Sequence, residues 1–358
     1  MSTQTKKTSI AAPGDIGRAL RARQLPLLGP RIVLTLAVFA GFGVWLATDS
    51  VFRGAITAWL VCFAIPAWSV FIEGSRKATD RLVTLLVAST FALAMVPLVS
   101  ILYTVLNRGL SVLGIDFLTF SMRNVVGEGG GVYHAMVGTL LITTAATIIS
   151  VPIGLFAAIY LVEYAEDSRL SRWVRFLVDV MTGIPSIVAG LFAYALFVLF
   201  FGEGVRLGVG GSVALSVLMI PIVVRSSEEM LKLVPNELRE AAYALGVPKW
   251  RTITKVVLPT ALAGIVTGVT LSIARVIGET APLLIIAGAT DSVNFNLFGG
   301  RMATLPVFAY ASQRNPGVPP EFSIDRAWGS ALVLLLLVML LNFVARLVAY
   351  FFSPKGDR

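Results

Sequence analysis

The sequence predicts an all-α, polytopic integral membrane protein with about eight transmembrane helices, and three observations carry that prediction. Of 358 residues, 56% are hydrophobic and only 14% charged, a balance foreign to water-soluble domains of this length. Stretches free of Asp, Glu, Lys and Arg and long enough to cross a bilayer, about 20 residues, recur along the chain. The basic residues then fall mainly on one side once those stretches are threaded through a membrane.

The first span lies between Arg31 and Asp49, the second between Arg53 and Glu73, and the third between Arg81 and Arg108. A fourth begins near His134 and ends before Glu163, and a fifth runs from about Arg175, past Asp179, to Glu203. Gly183 and Pro185 loosen that fifth helix, either as a hinge or as a packing kink. The sixth fits between Arg206 and Arg225, the seventh starts near Pro259, and the eighth lies between Arg326 and Arg346.

With the N-terminus in the cytoplasm, cytoplasmic segments hold 21 of the 29 Lys and Arg residues and external segments 7, leaving Arg275 inside the membrane. That asymmetry places both termini in the cytoplasm of a multi-pass plasma-membrane protein. The cluster Lys6, Lys7, Arg18, Arg21, Arg23 and Arg31 accounts for much of the net charge of +9 through anionic lipid headgroups, so no nucleic-acid partner is implied. A cleaved signal peptide is the rival account of the first span. The long polar stretch before it and the second span close behind favour an uncleaved helix. Cys62 is the only cysteine and His134 the only histidine, so no disulfide framework or Cys/His metal site is expected within the chain.

The chain divides into residues 1–81, a polar N-terminus with two helices, residues 82–352, a six-helix unit, and a short cytoplasmic tail, 353–358. Two connections are long: the cytoplasmic one within 226–260, and an external one over 290–326 that is rich in Pro, Gly and aromatic residues. The cytoplasmic connection holds a short capped helix, with Asn236 as N-cap, Glu237 and Glu240 in the first turn, and Gly246 followed by Pro248 closing it. Ala241, Ala242 and Ala244 give it a low profile, with Leu238 and Leu245 as apolar anchors for a partner's groove; an interfacial helix on lipid headgroups fits the same pattern.

Arg275 and Glu279 stand four residues apart in "ARVIGETAPLL". An arginine at the centre of a span costs about 2.5–3.5 kcal/mol on insertion scales, so something must compensate. On a continuous helix the two share a face. They form either a self-neutralising pair that aids packing or part of a polar path in which arginine meets an anion. Guanidinium donates two parallel hydrogen bonds to an oxyanion and stays charged. An ionised, free Glu279 would keep the affinity modest enough for release; a protonated Glu279, or one paired elsewhere, is the alternative. Thr139, Thr143, Thr147 and Ser150 fall near one face of the fourth span, where they either line a wet path or bond to backbone. Arg225 reads from its position as a positive-inside anchor.

Glu240-Ala241-Ala242, then Gly246, then Val256, Leu258 and Pro259 at their spacing resemble the EAA loop of ATP-binding-cassette importer permeases. "GIPSIVAGLFAY" (183–194), "ARVIGETAPLL" (274–284) and "GRMATLP" (300–306) are similar to signatures of the phosphate importer permeases of the PstA type. The resemblance covers roughly residues 82–352, and the first two spans depart from the usual six-helix form.

It implies a type I importer permease core whose short helix, through Glu240, Ala241, Ala242 and Gly246, docks in a cleft of a cytoplasmic ATPase. Arg275, Glu279, Thr280 and Arg225 then belong to the substrate path. The implied partners are a PstC-like second permease, a PstB-like ATPase dimer, an external phosphate-binding protein touching the 290–326 loop, and phosphate itself. The chain has no Gly-x-x-x-x-Gly-Lys-Ser/Thr loop, so it is expected to bind no cofactor and not to be an enzyme, with ATP and Mg held by the partner. A permease for sulfate or molybdate, an ion-gradient-driven transporter or channel working alone, and a membrane scaffold are the rival readings.

Overall fold

The computed structural model of the protein describes residues 25–26, 28–165 and 168–352, the last five of these by their backbone only. Lys6, Lys7, Arg18, Arg21 and Arg23 and the expected tail 353–358 lie outside the described residues. Among those described, seven helices are long and apolar enough to cross a membrane, and an eighth span is a helix pair bent by 108°. The chain is a multi-pass, all-helical membrane protein.

Contacts divide it into two units that meet in sequence at Leu102 and Tyr103, inside the third span. The boundary drawn from sequence at residue 81 also falls inside a helix, the one that spans Ser75–Val112, but near its start.

In the first unit, α1 (Gly29–Thr48) packs on α2 (Val51–Cys62), which continues with a slight break into α3 (Ala64–Glu73). Gly41 and Gly54 let the two backbones touch: a Cβ on either would lie 2.6–2.7 Å from the other's carbonyl oxygen. Such small-residue crossings are how membrane helices associate without a hydrophobic driving force. Glu73 ends α3 and accepts from Leu25 N–H, the Ser69 hydroxyl, and Nε and a terminal nitrogen of Arg81. Arg81 stands on α4 (Ser75–Val112), which carries Pro97 in its interior.

In the second unit, α5 (Ile115–Thr119) precedes α6 (Tyr133–Ile159), which is prolonged by a π-helical turn, Tyr160–Tyr164. Next come α7 (Arg169–Thr182), α8 (Ser186–Phe201) and α9 (Gly208–Lys232). The short α10 (Asn236–Ala244) leads through α11 (Lys249–Thr252) and a second π-helical turn, Ile253–Val257, into α12 (Leu258–Val276). The chain finishes with α13 (Ala281–Ile286), α14 (Leu305–Arg314) and α15 (Pro320–Phe352).

The centre of this unit is the parallel pair α6 and α9. The Ser212 hydroxyl donates to the Ile142 carbonyl and the Ser216 hydroxyl to that of Ala146, and a Cβ on Gly154 would lie 2.7 Å from a Val223 methyl. Around this pair Ile142, Leu215, Met219 and Val223 pack with Val276 of α12 and Leu283 of α13 into a dry core. Large apolar side chains elsewhere, such as Phe156, Leu199 and Phe200, point outward, as suits a lipid-facing surface.

Three expectations change here. The fifth span is not one helix that begins near Arg175: α7 is an amphipathic helix, and only α8 after the bend is wholly apolar. Pro185 explains the break, since it removes a backbone donor and disfavours helix at Ile184 before it. The seventh span is also interrupted. α12 stops at Val276, a turn holds Ile277 to Thr280, and α13 resumes at Ala281. Residues 275 and 279 therefore do not share a helix face. Finally, Thr139 and Thr147 donate to the carbonyls of Ala135 and Thr143, Thr139 also receives the Leu305 N–H, and Thr143 and Ser150 are buried. None of the four hydroxyls lines the cavity described next.

Candidate functional site

The two interrupted spans meet, α13 packing on α8. Gly190 makes the approach possible, because a Cβ there would lie 2.5 Å from Pro282 Cα. Where the breaks face each other and α9 passes, a cavity of about 240 Å³ opens, lined by Thr182, Ile184, Pro185 and Ser186, by Leu218, Pro221 and Ile222, and by Arg275 and Glu279. It has room for a small oxyanion with part of its water shell.

Three features give the cavity its chemistry. α8 starts at Ser186, with the Val188 and Ala189 N–H groups returning to the Pro185 carbonyl. The N–H groups of the first helical residues have no acceptor within the helix, so the positive end of α8's dipole points at the cavity. Arg275 adds a full positive charge from the last turn of α12, and Glu279 adds a negative one from the turn beyond it. No ion pair joins Arg275 to Glu279 among the described residues; they are separate lining groups of one polar space.

Depth follows from packing. A Cβ on Gly264 would touch Met230 and one on Gly268 would touch Ser226, so α12 runs antiparallel to α9, and Arg275 comes level with Leu218. Leu218 is ten residues into α9, about 15 Å at 1.5 Å per residue and so near the middle of a hydrocarbon layer about 30 Å thick. A site at the bilayer midplane built from discontinuous helices is the arrangement transporters use, since irregular backbone is tolerated there only where it lines a cavity.

Arg225 and Thr280 do not line this cavity. Arg225 of α9 pairs with Asp179 of α7 and stands 3.9 Å from Glu228. The buried Glu228 also accepts from Arg175, 3.1 Å away, and Lys232, 2.8 Å away. Thr280 is the N-cap of α13, where its carbonyl receives the Leu284 N–H.

At the end of the unit that carries α10, the short helix is held from within. Arg239, in its first turn, donates to Glu163 Oε1 at 2.8 and 3.1 Å, to the carbonyls of Leu231 and Val234, and to Asn236 Oδ1. Glu163 belongs to the π-helical turn after α6, so this buried pair ties α10 to α6; removing one partner of such a pair costs about 3–5 kcal/mol. Asn236 is the first helical residue, with Pro235 as the cap before it, and its side chain serves Arg239 instead of capping. The helix closes as the sequence predicts: Gly246 has φ 73°, its N–H donates to the Tyr243 carbonyl, and the Val247 N–H donates to that of Ala242.

Glu240, Ala241, Ala244, Leu238 and Leu245 are exposed, the last at 84%, and together form an unpartnered face. Ala242 is 8% exposed, so it packs against its own chain and is not on that face. Sequence reasoning missed Glu163, Arg239, Arg175 and Glu228. Their signal is a set of charges near span ends, where Arg175 and Arg239 read as markers of membrane sidedness, Glu163 reads as a span boundary, and Glu228 carries no local pattern.

A polar, charge-lined cavity between interrupted spans, together with a capped helix presented at one end, defines a helical permease. Among solved structures, a chain of the MetNI methionine ABC transporter, in the native CY5 crystal form of its inward-facing conformations, shares this fold with a TM-score of 0.51 and 20% identity over 67% of this chain and all of that one.

Residues 150–357 match the binding-protein-dependent transport system inner membrane component family, and this chain belongs to it. Among similar proteins, the phosphate transport system permease protein PstA 1 of Mycobacterium tuberculosis (strain CDC 1551 / Oshkosh) is 45% identical over 278 residues, 77% of this chain and 90% of that one. The PstA protein of Pasteurella multocida (strain Pm70) is 42% identical over 72% of this chain and 88% of its own length. That of Haemophilus influenzae (strain ATCC 51907 / DSM 11121 / KW20 / Rd) is 39% identical over 78% and 96%.

Proposed function

We propose that this chain is the transmembrane permease subunit of an ATP-driven importer of inorganic phosphate. The observation that carries this reading is the meeting of Arg275, Glu279 and the N-terminal end of α8 in one midplane cavity. The similarity to phosphate transport permeases supports phosphate as the cargo.

In this reading both termini are cytoplasmic, in keeping with the excess of basic residues on that side, and so is α10. Two ATPase subunits hold the ATP and Mg and close on ATP binding, and one of them docks on the exposed face of α10 through Glu240, Ala241, Ala244 and Leu245. The Arg239–Glu163 pair passes that movement to α6. A second permease completes the path, and an external phosphate-binding protein delivers the ion at the end where the 290–326 loop lies.

In the cavity, Arg275 donates paired hydrogen bonds to the oxyanion, and the α8 N-terminus adds a second attraction. Glu279 repels the anion at short range, so binding is strong enough for entry yet weak enough for release. Thr182 and Ser186 offer hydroxyl partners to the ion as it passes.

The test is uptake by the complete complex in proteoliposomes loaded with ATP, using labelled phosphate with sulfate or molybdate as competitors. Phosphate uptake that requires ATP and resists both competitors is expected. Uptake blocked by sulfate or molybdate would reassign the cargo, and uptake by this chain alone along an ion gradient would overturn the reading.

A further inference from the structure

The cavity ends one helical turn short of an ion pair. Thr182 and Ile222 line it from α7 and α9; three residues further towards the α10 end on α9 stands Arg225, and three residues back along α7 stands Asp179. These two side chains bond across the gap between the same two helices.

The other charges facing Arg225 do not compete equally for it. Glu228 is nearly enclosed and already holds Arg175 and Lys232 within 3.1 Å, whereas its own distance to Arg225 is 3.9 Å. Asp179 is therefore the main partner of Arg225. The pair is also reachable, with side-chain exposures of 43% for Arg225 and 53% for Asp179.

We propose that the Asp179–Arg225 pair is the cytoplasmic gate of the path, opened when the transported oxyanion displaces the Asp179 carboxylate from the Arg225 guanidinium. This deepens the transport reading and rests on it. A carboxylate and an oxyanion present the same acceptor geometry to a guanidinium, so one can replace the other without leaving the cation bare. Like charge then drives Asp179 from the arriving anion, and the departure of the anion lets the pair close again. The exchange has no covalent step. It requires the two helices to stay within reach of one another, which the continuing α7–α9 contact through Arg175 and Glu228 provides.

The test uses the complete complex in proteoliposomes without ATP, filled with labelled phosphate or, separately, labelled sulfate, with efflux followed over time. Wild type should hold both anions. Asp179→Asn, which leaves Arg225 without its carboxylate, should leak at least one of them about tenfold faster. ATP hydrolysis by the same preparation reports whether the complex has assembled. A merely structural role for the pair predicts poor assembly and no added efflux.

The exchanged pair, Asp179→Arg with Arg225→Asp, retains the seal while displaying the wrong charge from each helix. It should hold both anions as wild type does, yet lose ATP-driven uptake, and it serves if the single variant does not assemble. An assembled Asp179→Asn complex that holds both anions overturns the gate, as does a leaking exchanged pair. Selectivity of wild-type uptake tests the cargo separately: ATP-driven sulfate uptake beside a leaking Asp179→Asn would refute phosphate and keep the gate.

Discussion

The α6–α9 pair and the two interrupted spans place polar groups at similar depth and use them in opposite ways. In the pair, Ser212 and Ser216 bond to backbone carbonyls across the contact, Thr139 and Thr147 bond to carbonyls of their own helix, and none of the four lines the cavity. At the breaks after Thr182 and Val276 the helical ladder stops, and Arg275, Glu279 and Ser186 face open space. Polar residue type therefore does not mark the path within this membrane region. Interruption of the helix does, because it frees both side chains and backbone dipoles to meet a ligand.

The sharpest way to break that contrast is Arg275→Gln. Losing charged hydrogen bonds worth about 1.5–3 kcal/mol in total should cut phosphate uptake about 10- to 100-fold in a complex that still assembles. Unchanged uptake would move the path elsewhere. The complementary test strikes the straight pair. Gly154→Leu pushes into Val223 and should cost about 1–3 kcal/mol of stability, read as a lower unfolding midpoint in detergent.

Glu279→Gln should act on the cavity without unfolding anything. With Arg275 uncompensated, phosphate is held more tightly, so both KM and maximal uptake rate fall about fivefold, the equivalent of about 1 kcal/mol. A rise in KM would contradict the assigned repulsion. Gly246→Ala places a Cβ at positive φ and should cost about 1 kcal/mol at the end of α10, seen as reduced ATP-dependent uptake at unchanged phosphate affinity. Thr147→Val should be smallest of all, within about 0.5 kcal/mol and without effect on uptake. A transport defect there would return the hydroxyl stripe to the path and blur the contrast.

Much of this was legible in the sequence. Apolar run length located the spans, Gly183 and Pro185 marked a loosened point in the fifth where the structure has a full break, and Gly246 with Pro248 marked the end of α10. The charges at 275 and 279 read as belonging together, and they do line one cavity. The break after Val276 was hidden because Arg275 and Glu279 at a spacing of four read naturally as one helix face. Gly278 and Pro282 were the available warning, the first weakening the helix and the second restarting it as an early residue of α13. The links Arg239–Glu163 and Arg225–Asp179 join positions 76 and 46 residues apart, and no local pattern encodes a pairing at that distance.

The π-helical turns at Tyr160–Tyr164 and Ile253–Val257 set an angular relation between the docking helix and the spans on either side of it. Each wide turn accommodates a residue that a regular helix would have no place for. Removing one residue from Ile253–Val257 would leave an ordinary turn and keep the register beyond it, whereas removing one from α12 itself would rotate everything beyond by about 100°. Arg275 would then swing from the cavity wall towards a neighbouring helix or the lipid. The length of α12 ahead of Arg275 is thus under geometric constraint, and single-residue insertions or deletions should be tolerated far less well there than in the π-helical turn that precedes it.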